Sequence, residues 1–124
     1  MLRFLRSTAL WILLLPYAIT FTGAASNQLV LNANGDTFPV RLNAAKVQKF
    51  TAENGITLPD GTVMLDETHC LMTAKTHLNW LADIFDFHQD IESIGDMFLE
   101  LGAWLGTFCP FVWFAIVCDR LRRL

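Results

Sequence analysis

The 124 residues contain no Gly-x-Ser-x-Gly elbow, no His-Glu-x-x-His pair, no phosphate-cradling P-loop and no Gly-x-Gly-x-x-Gly turn. Without them a nucleophile, its base and its oxyanion donors cannot be assembled, so neither an enzymatic activity nor a cofactor is expected. Cysteine is scarce: Cys70, Cys109 and Cys118 cannot make a paired disulfide framework. Positive charge is scarce as well. Nine Lys and Arg stand against twelve Asp and Glu, a net charge of −3, which gives no basic field for nucleic acid. Apolar residues, by contrast, make up 53% of the chain against 17% charged. That balance excludes a disordered chain and is greasier than a soluble domain of this size.

Charge is absent between Arg6 and Asn27. Arg3 and Arg6 head this stretch, Ala9 to Leu15 are apolar up to Pro16, and Gly23, Ala24 and Ala25 are small. A positive head, an apolar middle and small residues before a cut after Ala25 match a secretory signal peptide. Ser7 to Ala25 also spans about 19 residues, which at roughly 1.5 Å each nearly crosses a 30 Å hydrocarbon layer. Residues 1–25 are therefore a signal peptide, the first expectation, or an uncleaved N-terminal transmembrane helix. A second uncharged run, Leu101 to Cys118, lies between Glu100 and the group Asp119, Arg120, Arg122 and Arg123. It reads as a transmembrane helix at 101–118 with a basic cytoplasmic tail at 119–124. Cleaved, the protein is type I; uncleaved, it is a two-span hairpin with both ends inside. In either case residues 26–96 lie outside the cytoplasm, at a plasma or inner membrane.

Residues 26–65 are expected to form a small exported α/β module. Strands at Gln28 to Asn32 and Thr37 to Leu42 flank a turn at Asn34 and Gly35, with Pro39 confining the second strand to an edge. Asn43 is a candidate N-cap for a helix from Ala44 to Asn54, burying Val47 and Phe50 and stopped by Gly55. A second hairpin turns at Pro59, Asp60 and Gly61, with Ile56, Leu58, Val63 and Leu65 facing inward.

No Gly or Pro occurs from Glu67 until Gly95, so with Asp66 as N-cap the expectation is a long amphipathic stalk helix over 66–100 running into the span. His77, Trp80, Ile84, Phe87, Ile91, Ile94, Phe98, Leu101, Leu105 and Phe108 recur at spacings of three and four. This is a coiled-coil-like stripe for a partner helix. Gly95, Gly102 and Gly106 fall beside it, and Gly102 with Gly106 makes a GxxxG spacing that lets backbones approach closely. The candidate helix interface is thus Trp80, Ile84, Phe87, Ile91, Ile94, Phe98, Leu101, Gly102, Leu105 and Gly106.

Six carboxylates and no Lys or Arg lie between Thr76 and Glu100; the ordinary meaning is a solvated face. Glu100, at the membrane edge, is the proton or ion candidate. Cys70 is the cross-link candidate, as the sole exported thiol. Asp66, His69 or Cys70, Thr73 and His77 share a helical face, and His88 falls on the side of His77, but the spacing is not that of a zinc site, so no metal is expected.

The resulting expectation is a mainly α membrane protein, with a long C-terminal helix running into a span and a small exported β-hairpin/helix module. It would act as a non-enzymatic structural or assembly subunit, self-associating as a homo-oligomer or joining a larger membrane protein complex. The alternative is a holin-like, conducting protein in which the acidic stalk and Glu100 line a water path after oligomerisation. A metal or redox carrier using His69, Cys70, His77 and Cys109 is a distant third.

Overall fold

A computed structural model describes residues 2–54, 56–87 and 90–123, with side chains over 10–49, 56–87 and 91–123. The Phe50 side chain, the Gly55 stop and His88 lie outside the described residues.

Two long helices frame the chain: α1, Leu2–Ala33, and α3, Ile94–Arg122. Both are long and apolar enough to cross a membrane. The 29 residues of α3 extend for roughly 43 Å at 1.5 Å per residue. Between the two helices come β1 (Phe38–Val40), α2 (Ala44–Asn54), β2 (Ile56–Thr57), β3 (Val63–Met64), β4 (His69–Leu71), β5 (Phe85–Phe87) and β6 (Asp90–Glu92).

The helix α1 continues through Gln28 to Asn32, where a strand was expected. Asn34 and Gly35 do make a turn, but it ends a helix instead of joining a hairpin. The Asn34 and Asp36 amides both donate to the Leu31 carbonyl, at 3.1 and 3.0 Å, and Gly35 and Asp36 take positive φ of 63° and 64°. Glycine has no Cβ to clash there, and Asp is among the few residues that tolerate it. An apolar run before Asn-Gly fits a helix with a glycine stop as well as a strand before a tight turn. Packing chose the helix: Val30 is fully buried against Phe38 and Ala82, with Leu31, Met72, Leu78 and Leu81 around them.

The sheet has the order β1-β4-β3-β2. β1 lies parallel to β4, Pro39 opposite Cys70, and the β1–β4 ladder runs through the Phe38 amide and the Val40 carbonyl, so the missing N–H of Pro39 costs it no bond. β2 and β3 form the expected hairpin around Asp60 and Gly61, Ile56 opposite Met64. Ile56 and Leu58 are nonetheless exposed, whereas Leu65 is buried. The α2 expectation holds at its start, with Asn43 Oδ1 accepting from the Lys46 amide at 2.9 Å. Lys46 then pairs with Asp86 at 2.7 Å, tying α2 to β5.

The stalk helix over 66–100 is absent, and the stripe through residues 79–96 is not a helix face. Asp66 caps no helix; its Oδ1 accepts from the Thr68 and His69 amides, each at 2.8 Å, closing a turn before β4. Those bonds hold the Asp66 carboxyl below its ordinary range against the opposing pull of partial burial. Strands β5 and β6 instead pair antiparallel, Phe85 opposite Glu92 and Phe87 opposite Asp90. Aromatic and β-branched side chains prefer a pleated surface, and Phe85 and Phe87 point to one face and stack with centroids 6.3 Å apart. Helix α3 begins only after Ser93, whose hydroxyl accepts from the Asp96 amide at 3.0 Å while Asp96 Oδ2 accepts from the Ser93 amide at 3.0 Å. This reciprocal capping box satisfies donors that a helix start leaves open.

Candidate functional site

The two long helices pack antiparallel along a seam of small residues. Asn27 and Gly23 meet Gly95, Thr20 meets Gly102, and Pro16 meets Gly106. A Cβ placed on Gly23 would lie 2.5 Å from the Gly95 carbonyl oxygen and 2.9 Å from the Leu99 amide nitrogen, both backbone. A Cβ on Gly102 would strike Thr20 Oγ1 and approach the Thr20 amide nitrogen to 2.9 Å. Backbones this close require glycine, the geometry of small-residue packing between apolar helices. Thr20 keeps its hydroxyl satisfied inside its own helix, donating to the Pro16 carbonyl at 2.9 Å.

With the glycines turned inward, the large side chains turn outward. Trp11, Tyr17 and Phe21 on α1 and Trp104, Phe111 and Phe114 on α3 are all exposed, and Trp104 stacks on Phe108 along the outer surface at 5.9 Å.

Above the seam a polar joint ties α1 to the start of α3. Asn27 Nδ2 donates to Asp96 Oδ1 at 2.7 Å, and the fully buried Ser93 places its hydroxyl 2.7 Å from Asp96 Oδ2 and 3.0 Å from Asn27 Oδ1. Asp83 is 6% exposed, and its Oδ1 has no hydrogen-bond partner among the described residues. Burial pushes its carboxyl up to about 7; the negative charges of Asp96 and Glu92 add to the rise and His69 opposes it. The Asp83 main chain extends the sheet past β1, its amide donating to the Pro39 carbonyl at 3.2 Å and its carbonyl accepting from the Arg41 amide at 2.8 Å.

The residues of the expected stripe separate into three places. Ile94, Phe98, Leu101, Gly102, Leu105 and Gly106 do lie on one helix, α3; Gly102 is buried and faces α1 within the same chain. Trp80 and Ile84 lie in the loop before β5 and border a shallow groove with Arg41 and Met72. Phe87 and Ile91 are on the paired strands β5 and β6, and Phe87 borders a groove with Trp104 and Glu100. Glu100 itself is exposed.

Cys70 is 1% exposed, its thiol donating to Thr37 Oγ1 at 3.6 Å, so a cross-link between copies through it requires the sheet to open. It floors a cleft of about 440 Å³ that Asn34, Asp60, Lys75 and His77 also line. No cluster of three metal-ligating side chains occurs among the described residues. Sequence reasoning missed the Asn27, Ser93 and Asp96 joint and the buried Asp83. The signal for the first was present: Ser93 followed three residues later by Asp96, ahead of an apolar run, is a helix-start signature.

No curated protein and no solved structure matches the chain. Residues 11–108 match a protein family described as a family of unknown function, DUF5317. The matched segment takes in both sides of the glycine seam, the joint and the whole sheet, and on that match the chain belongs to the DUF5317 family.

Proposed function

We propose that the chain is a non-enzymatic integral membrane protein whose two long helices span the bilayer as a hairpin and carry residues 34–92 as a cap on one surface. The cap serves as a structural or assembly subunit, joined laterally to copies of itself or to a larger membrane protein complex. The observation that carries this is the glycine seam, since two apolar helices that spend their small residues on each other leave their aromatic faces for lipid or neighbouring helices.

The same seam favours retention of α1 over cleavage after Ala25. Cleavage would remove Pro16, Thr20 and Gly23 and strip Gly95, Gly102 and Gly106 of the surface they fit. The family match, which begins at residue 11, includes those three residues as well. Retention sets Arg3 and Arg6 at the same end of the hairpin as Arg120, Arg122 and Arg123. The positive-inside rule puts that end in the cytoplasm and the cap outside. Because the glycines are occupied within the chain, lateral contacts fall to the outer faces around Trp11, Phe21, Trp104 and Phe111.

Single cysteines at Asp60 and Leu121, in a chain whose native cysteines are replaced by serine, test this arrangement. A membrane-impermeant maleimide is expected to label position 60 in intact cells and position 121 only after permeabilisation. Labelling of both from one side, or release of the chain from membranes by alkaline carbonate, contradicts a spanning hairpin.

A further inference from the structure

We infer that Asp83 is a proton-operated latch holding the cap closed on the helix pair, shut when its carboxyl is neutral and loosened when the carboxyl ionises. The geometry places the group where such control is exerted. Its main chain is the rung joining residues 82–83 to β1, through Pro39 and Arg41. The preceding Ala82 is fully buried against Val30 of α1 and Phe38 of β1. Full hydration of the carboxyl, its buried Oδ1 included, therefore requires residues 82–83 to withdraw from both the sheet and the end of α1. That motion also frees the chain leading into β5, β6 and α3.

The surroundings disfavour a charge at this point. Asp83 Oδ1 has no partner among the described residues, and the side chain is more than nine-tenths buried. An ionised carboxylate in such a place lacks the hydrogen bonds that would offset its desolvation. The charged and titratable groups facing it are Asp96 from α3, Glu92 from β6 and His69 from β4. The two acids oppose a second negative charge. His69 favours one, but its Nδ1 is already engaged by Asp66 Oδ2 at 2.8 Å. The donors of the joint are directed at Asp96, Asn27 Nδ2 to its Oδ1 and the Ser93 amide and hydroxyl to its Oδ2, and none of them reaches Asp83 Oδ1.

The sign follows from linkage. A carboxyl with an ordinary value of 3.8 when exposed and about 7 when buried favours the closed form fully below about pH 4. That preference is lost as pH rises to about 7 and changes no further above it. Opening should therefore become roughly tenfold more frequent per pH unit across that window. The latch answers to the pH on the side of the membrane that the cap faces, and it operates whether or not the chain assembles laterally.

Hydrogen–deuterium exchange of the full chain in lipid nanodiscs tests the latch, with amides of residues 38–42 and 79–84 followed from pH 5 to 8.5 and corrected for intrinsic exchange. Opening is expected to rise about tenfold per unit up to pH 7 and then level off, and Asp83→Asn is expected to abolish the slope. A wild-type profile without slope, or an Asp83→Asn profile that keeps it, overturns the latch. Carbon-13 NMR titration of the Asp83 carboxyl in the wild-type chain needs no variant to fold. A midpoint near 7 supports the latch, and one near 4 overturns it.

Discussion

Replacing Gly23 with isoleucine is expected to separate α1 from α3 and to produce the largest loss of stability of any single change in the helix pair. The first carbon added would meet the Gly95 carbonyl oxygen at 2.5 Å and the Leu99 amide nitrogen at 2.9 Å. Both are main-chain atoms of a regular helix, so neither can swing aside as a side-chain tip would. The helices must move apart along the seam, and the contacts at Thr20 with Gly102 and Pro16 with Gly106 loosen with them. Overpacking of a well-fitted interface costs about 1–3 kcal/mol, and the branched side chain at a backbone contact places this change at the upper end. The neighbouring Ala24 is exposed, so Ala24→Ile on the same helix should leave thermal unfolding in detergent close to wild type. Equal destabilisation by the two changes would show that the seam is not where the helices meet.

Ser93→Ala is expected to be the most damaging change in the cap joint. The hydroxyl caps α3 through the Asp96 amide and lies within hydrogen-bonding distance of Asp96 Oδ2 and Asn27 Oδ1. Loss of a serine N-cap alone costs about 1 kcal/mol. Asn27 Oδ1 left without this donor adds about 1–3 kcal/mol, for a total of about 2–4 kcal/mol by denaturant titration. Ser93→Thr keeps a hydroxyl of the same capping type and should recover part of the loss. A change below about 0.5 kcal/mol, the ordinary scale of a surface substitution, would mean that the Ser93 hydroxyl contributes nothing to the joint.

These two sites show why the sequence was legible in some places and not in others. The apolar lengths of α1 and α3 are local properties, and so are the Asn43 cap and the Asp60–Gly61 turn; each was readable because composition or turn chemistry decides it. Residues 66–93 were misread because Trp80, Ile84, Phe87 and Ile91 happen to recur at helical spacing. The same residues contain the alternation Phe85, Asp86, Phe87, and no Asn-Gly stands between β5 and β6. Only pairing with a partner strand, which is not local, separates the two periods. Gln28 to Asn32 failed for a related reason: the burial of Val30 against Phe38 and Ala82 is decided by residues far along the chain.

The glycines illustrate a subtler gap. Gly95, Gly102 and Gly106 were readable as a close-approach line, but what approaches them was not. Gly23 lay in a segment that matched a signal peptide equally in its small residues, and nothing in residues 1–25 alone says that Pro16, Thr20 and Gly23 complement a helix some eighty positions away. Asp83 was one acid among six in a stretch read as a solvated face. Its burial arises from the strand extension past β1, which no sequence pattern announced.

The central claim, that α1 stays in the chain and packs antiparallel on α3, is tested most directly by a disulfide. A Cβ at position 106 would lie 3.8 Å from the Pro16 Cβ, within the range that a disulfide bridges. Pro16→Cys with Gly106→Cys, made with the native cysteines replaced by serine and oxidised in membranes, is expected to give an intramolecular bond in the monomer. That bond would be read as a mass two hydrogens lower on a chain that still carries position 16. A chain lacking that position, or free thiols that bridge only between copies, would contradict the paired hairpin.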